Sequence, residues 1–471
     1  MPVAEKKCVL DLVQDSYKNY FELMSLFLNT NIHRAEKEQE SRIFLTQILG
    51  NIHLENINFP NEISEVKEWF KQENKHACEA YQGYLSRRQA NGDREYFQNI
   101  GQAFEFLIRV APIKKVDGSW LYSLVNYWND PAFHDLILIY LEELGLGLAQ
   151  ANHVCIYDEL LKALGLDDFE TYIDDEYYQQ AVIQLALAYA PADFIPEIIG
   201  FNLGYEQLPL HLLITNYELQ ELGINSKYFN LHITIDNLAS GHAQKSIKAL
   251  GNIYNNYPDK EKFIKKLKRG YALNQEGIGS TQIIQSLDLE NFVHNILKRK
   301  ALVGQWVHNE KREFSCKTIN QWLSNPNEIV SFINQLIENK WIKINKNPEE
   351  SLFWKMIHHE DGKMYGVFSP TEKQIIHDWI AGNQYSSTVL VQGKNINSRA
   401  QQIQEFRCST IADIELTHLK SSLTQNNNIS ISFTKLIPFL APHSHHQNIG
   451  LWCTQKYSEL LFPYLTNLKI G

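Results

Sequence analysis

Six side chains near the middle of the sequence have types that could hold metal together: Glu143 and His153, then Glu206, then His232, Asp236 and His242. Three carboxylates and three imidazoles suit iron. Carboxylates bridge hard cations and absorb their charge, while neutral imidazole nitrogen binds ferrous iron and leaves coordination positions open. Ligands carried on rigid helices are held in fixed geometry, as in other metal sites inside helical bundles. His232 and Asp236 are four residues apart, so a helix through them presents both on one face. His242 lies six residues beyond Asp236, about 240° around a straight helix, and would point away. The Ser240-Gly241 pair offers a place for a kink or bulge that swings it back. Glu143 and His153 straddle Gly145-Leu146-Gly147 and are expected on either side of a break. Glu206 precedes Pro209 in an otherwise apolar stretch, where a carboxylate is costly unless paired or metal-bound.

Positioning such a set requires helices, and the sequence is dominated by apolar residues recurring at three- and four-residue intervals, with few alternating runs. Helices are expected within 10–88 and over 96–110, 131–144, 151–164, 177–189, 194–216 and 226–253. Breaks fall at Asn91-Gly92-Asp93, Ala111-Pro112 and Asp117-Gly118. The expected fold is all-α: an N-terminal helical region over 1–90, a metal-binding bundle over 91–300, and a mostly helical C-terminal region over 301–471. In that last region the clearest helices span 329–339 and 371–380, introduced by Pro326 and by Ser369-Pro370, and the Asn-rich 425–428 reads as an exposed loop. Residues 1–90 carry no ligand set beyond Glu73 and His76, so they are assigned to packing or to self-association as a homodimer.

Composition narrows the class. The chain has 471 residues, 44% hydrophobic and 21% charged, as in ordinary globular proteins. A formal net charge of −10 argues against a broad nucleic-acid surface. The one basic run, 262–269, is interleaved with Phe263, Ile264 and Leu267 and reads as the solvated face of a helix. The six cysteines are scattered singly, which fits reduced thiols in a cytoplasm. No apolar run has the length of a membrane span, and the first residues lack the apolar core of a signal peptide. A soluble cytoplasmic protein without nucleic-acid or membrane partners is expected.

The order Glu, ten residues, His, then Glu, then His-x-x-x-Asp followed by His resembles the haem-oxygenase-like di-iron oxidase family. Val110-Ala111-Pro112, Val116-Asp117-Gly118-Ser119-Trp120-Leu121, Tyr140-Leu141-Glu142-Glu143-Leu144-Gly145 and Asp236-Asn237 through Gly241-His242-Ala243 are similar to its long, iron-containing redox branch, over roughly residues 85 to 380. The resemblance implies a haem-oxygenase-like helical bundle with Glu143, His153, Glu206, His232, Asp236 and His242 as metal ligands. The spacing from Asp236 to the last His departs from the family's usual three or four. Some members recruit a further carboxylate from an earlier helix, a part open to Asp117, whose other reading is a turn-forming Asp-Gly.

Two ferrous ions per chain, Fe(II), would share the two-electron reduction of O2 and pass oxidising power to a small-molecule substrate. By resemblance that substrate is an amine, an amino acid or a fatty-acid-like molecule. The alternatives are a haem- or tetrapyrrole-binding protein and a cofactor-free scaffold on the same fold. Glu73-x-x-His76 and Glu415-x-x-His418 lie far apart without accompanying carboxylates and are taken as chance. His443, His445 and His446 are taken as a polar loop rather than a second metal site, and His358, His359 and His377 as surface histidines. No phosphate-binding glycine motif and no Gly-x-Ser-x-Gly is present.

Overall fold

The computed structural model describes residues 19–235, 241–306, 313–382, 414–424 and 428–468. Helices α1 (Tyr20–Leu28), α2 (Arg34–Gly50) and α3 (Val66–Gln89) precede the buried α4 (Ile100–Lys114), and the side chains of Asn19 and Asn99 cap α1 and α4. The break expected at Ala111-Pro112 is displaced, because α4 runs through Pro112 to Lys114. A proline so close to the helix end removes one backbone bond, which burial of Ala111 and Ile113 offsets.

A 3-10 helix (Ser119–Tyr127) leads to α5 (His134–Glu143), α6 (His153–Leu164), α7 (Gln179–Ala188) and α8 (Ile195–Tyr205). Then come α9 (Leu210–Glu221), α10 (Lys227–Ile235), α11 (His242–Asn256) and α12 (Lys260–Ala272). The two longest helices expected here are each divided. The 194–216 segment stops at Tyr205 and restarts after Pro209, which is extended and cannot donate a ladder hydrogen bond. In the 226–253 segment, Gly241 is extended (φ −83°, ψ −163°) and begins α11 as a new helix, rather than a kink in an old one. The basic run lies on α12, whose Phe263 and Leu267 are buried.

Beyond the bundle come α13 (Ser280–Gln285), α14 (Leu289–Gly304) and a hairpin of β1 (Glu313–Phe314) and β2 (Lys317–Thr318). After it run α15 (Ile319–Leu323), α16 (Ile329–Glu338), α17 (Leu352–His358), α18 (Pro370–Ala381), α19 (Ile414–Thr424), α20 (Ile429–Leu436) and α21 (Asn448–Leu468). Of the Asn-rich segment, residues 425–427 lie outside the described residues, and Asn428 caps α20.

The apolar side chains form two cores. The first joins α1, α2, the 3-10 helix, α5, α7, α8, α11 and α12 with α20 and α21. The second joins α4, α6, α9 and α10 with α14 and α16–α18. The C-terminal helix is tied into the first, its Tyr457 hydroxyl donating to the Val125 carbonyl at 2.8 Å. In the second, Asp378 of α18 accepts from the Gly101 amide at 2.9 Å. No single helix among the described residues is long and apolar enough to cross a membrane. The pair formed by α7 and α8 reaches that length and apolarity only when joined across a 118° bend, and residues 181–188 are buried in the first core.

Candidate metal centre

Glu143 is the last residue of α5, and the turn after it decides where His153 goes. Gly145 has φ +63°, and a Cβ placed there would lie 2.4 Å from the Ala151 carbonyl carbon and the Asn152 nitrogen. Only glycine permits so tight a return. The chain then starts α6 at His153, with the Asn152 side chain accepting from the Cys155 amide at 3.1 Å. Gly118 acts in the same way. Its φ is +75° and a Cβ would stand 2.7 Å from the Glu143 Cβ, so the Asp117-Gly118 turn lies directly against Glu143. Asp117 is thereby both the turn residue and a buried carboxylate beside Glu143.

His232 comes from α10, Glu206 from the C-terminal cap of α8, and His242 from the first position of α11. Asp117, Glu143, His153 and His232 form a group whose ligand atoms all lie within 4.8 Å of one another. Glu143 connects this group to the rest. Its Oε2 is 2.5 Å from His153 Nδ1, while its Oε1 is 3.2 Å from His242 Nδ1. That same His242 nitrogen is 3.3 Å from Glu206 Oε2. Five of the six sequence-selected residues, with Asp117, thus meet in one buried cluster. Asp236 lies outside the described residues.

Ring orientation follows from outer hydrogen bonds. His232 Nδ1 is 2.9 Å from the Tyr228 carbonyl oxygen, which can only accept, so Nδ1 carries a proton, and Nε2 faces Asp117 Oδ2 at 3.0 Å. Asp117 Oδ2 also accepts from the Tyr228 hydroxyl. On the other side, His242 Nε2 is 2.8 Å from Glu142 Oε2, and Glu142 is paired with Lys245. Backbone carbonyl and carboxylate partners of this kind usually orient the imidazoles of metal sites.

The carboxylates and imidazoles of the cluster shift one another strongly. Burial opposes ionisation of Glu143, yet His153 and His242 hold its pKa down at about 2. Burial also opposes a charge on His153, and Glu143 and Asp117 nevertheless carry it up to about 10. Asp117 is likewise held well below the usual carboxylate range, because the neighbouring His153 and His232 imidazoles outweigh its burial. Two buried features fit metal better than protons. Neither nitrogen of His153 has an aligned hydrogen-bond partner, although Nδ1 and the equally unaligned Glu143 Oε2 are only 2.5 Å apart. A buried polar atom without a partner is costly, and lone pairs converging on a shared cation remove that cost.

Sequence reasoning missed the supporting residues. Glu142 had the same signal as its neighbour, a carboxylate at the end of an apolar helix, and Lys245 follows His242 by three residues on α11. Tyr228 lies four residues before His232, one turn away on α10. Among the described residues, Glu73, His76, Glu415 and His418 belong to no metal-holding group, and neither do His443, His445 and His446. Those last three are no polar loop. His445 is buried, with Nδ1 3.1 Å from Asn152 Nδ2, and His443 Nδ1 lies 3.3 Å from the Tyr189 hydroxyl. Cys78, Cys155, Cys316 and Cys453 form no disulfide among the described residues.

No curated protein and no solved structure matches the chain. Residues 104–275 do match a family model, described as iron-containing redox enzyme, and they carry the whole of this cluster together with its Tyr228 and Glu142 supports. The helical bundle that brings Asp117, Glu143, His153, Glu206, His232 and His242 together is therefore similar, over those residues, to that family of iron-containing redox enzymes.

Proposed function

We propose that the protein is a non-haem di-iron oxygenase or oxidase that uses O2 to oxidise a small amine, amino acid or fatty-acid-like molecule. The observation that carries this reading is the placement of Glu143, whose two oxygens face imidazoles on opposite sides, His153 and His242. A carboxylate so placed suits a bridge between two cations. Asp117, His153 and His232 would hold the first ion, Glu206 and His242 the second, and Asp236 is assigned to the centre by the family pattern alone. When bound, the iron would supply the electrons that reduce O2 and the oxidising power for the substrate.

The protein's own residues do the rest. Tyr228 orients both Asp117 and His232 through separate atoms, its hydroxyl and its carbonyl. Tyr205, the residue before Glu206, holds its ring 4.4 Å from that of Trp120 in a tilted pair that would help shield the site from water. Haem would need a single axial imidazole and would leave Asp117, Glu143 and Glu206 buried without cations, which disfavours the haem and scaffold readings.

The test is anaerobic loading with ferrous iron, followed by metal analysis and a visible spectrum as O2 is admitted. Two iron ions per chain, oxygen consumption and a transient charge-transfer band are expected. Zinc or no metal after loading, with no oxygen consumed, overturns the reading, and a Soret band replaces it with haem. We also assign the N-terminal helices to packing or homodimer formation, which sedimentation of the intact chain would test.

A further inference from the structure

A cavity of about 1460 Å³ opens among α14, α16 and α17, and none of the metal-centre residues lines it. Its floor is Ile329, Phe332, Ile333 and Leu336 of α16, all buried in the second core. Its mouth is apolar as well. Leu302, Val303, Leu352 and Val367 line it while remaining 58%, 71%, 42% and 45% exposed. Six of the twelve large apolar side chains exposed among the described residues fall between Leu302 and Val367. Such clustering marks a binding surface, since scattered single exposures are the ordinary case.

Charge at the opening has one sign in excess. Arg299, Lys300, Lys355 and Lys363 line it against the carboxylates Asp361 and Glu372. Glu372 is engaged by Lys300 at 2.9 Å, and Arg299 lies over the Tyr172 ring at 4.1 Å. Lys355 and Lys363 have no carboxylate partner among the described residues, and both are exposed. An apolar shaft with a cationic lip is complementary to one long apolar chain that ends in a single anionic group. A peptide fits less well, because its amide groups would meet aliphatic walls without hydrogen-bond partners.

We propose that this cavity binds a free single-chain amphiphile with a carboxylate head, the chain against Ile333 and Phe332 and the head at Lys355 and Lys363. The site is separate from the metal centre. It does not depend on the redox reading and stands or falls with its own test.

The iron-loaded full chain is titrated calorimetrically with hexadecanoate, dodecanoate and hexadecanol, each below its aggregation concentration. One hexadecanoate per chain should bind. Dodecanoate should bind about 200-fold more weakly, because each buried methylene is worth roughly fourfold in affinity. Hexadecanol should lose about fivefold to tenfold, the worth of one or two exposed ion pairs. The double variant Lys355→Glu with Lys363→Glu should erase the preference for hexadecanoate over hexadecanol while retaining iron. Val303→Asp should weaken all three ligands. Both variants change exposed side chains, and the chain-length series on the unsubstituted protein reads the site without any substitution. Absence of saturable binding, binding of several molecules per chain, or hexadecanoate binding unchanged in both variants overturns the proposal.

Discussion

The two sides of the metal centre are built differently, and they draw on different cores. His153 and His232 come from helices of the second core, and their surroundings are deep: Tyr228 is 1% exposed, and it holds Asp117 and His232 through a phenol and a backbone carbonyl. Glu206 and His242 come from helices of the first core, and there the outer partner is a charged pair, Glu142 with Lys245, whose side chains are 35% and 22% exposed. Hydrogen bonds buried away from water are little affected by salt, whereas a partly solvated ion pair is screened. The inner position should therefore be the tighter one and the outer position the exchangeable one. Glu143 alone belongs to both.

Breaking the shared member should give the largest effect. Glu143→Ala removes the carboxylate that faces both imidazoles, and iron should fall from two ions per chain to less than one by metal analysis of the loaded protein. Retention of two ions would mean that the sides are independent. One-sided substitutions come next. His232→Ala should lower the inner occupancy and His242→Ala the outer, each leaving about one ion. The comparison sharpens if the ion remaining in His242→Ala is lost to a competing chelator more slowly than the one remaining in His232→Ala. If His242→Ala keeps two tightly bound ions, His242 is not a ligand.

Much of this was legible in the sequence because most of the candidate ligands sit on or at the ends of strongly periodic helices. The helix pattern located Glu143, His153 and His232, and the Gly145-Leu146-Gly147 break between the first two was visible as such. His242 was visible as a residue type, but its geometry was not. A straight helix turns it away, and the solution is a fresh helix beginning at an extended Gly241, which three-dimensional packing decides. Asp117 was obscured because a turn-forming Asp-Gly has the same spelling whether it faces solvent or, as here, lies against Glu143. Glu142 and Lys245 could not be chosen in advance because their meeting requires α5 and α11 to be neighbours, a contact between residues a hundred positions apart.

A third prediction compares the cores through their buried ionisable groups, which have opposite signs. In the second core, burial pushes Glu105 up to about 7 against the pull of Arg109. The folded protein then keeps a proton that the unfolded chain has released, so stability falls as pH rises from about 4.5 to 7, by up to about 3 kcal/mol. In the first core, burial lowers Lys37 to about 8, with its ammonium 5.0 Å from the centre of the Tyr189 ring. There the unfolded chain holds the extra proton, and stability rises between about pH 8 and 10.5. Urea unfolding of Glu105→Gln and Lys37→Met beside the unsubstituted protein checks both, since each variant should flatten its own window and leave the other. A Glu105→Gln difference that does not change between pH 5 and 7.5 would contradict the assignment.

The smallest effect expected is also the most selective probe of the two sides. Tyr228→Phe keeps the ring and the carbonyl that fixes His232, and removes only the hydroxyl that donates to Asp117 Oδ2. Asp117 then loses a donor that orients one of its oxygens toward the cluster, and outer partners of this kind are typically worth about tenfold or somewhat more in metal affinity. The loss should fall on the inner ion alone, because the Glu142 and Lys245 contacts of His242 do not involve Tyr228. Ferrous titration against a competing chelator would show one affinity weakened about tenfold and the other unchanged. Equal weakening of both would mean that Glu143 couples the two positions too tightly for an inner and an outer side to exist, and no weakening would place the orientation of Asp117 on His153 and His232 instead.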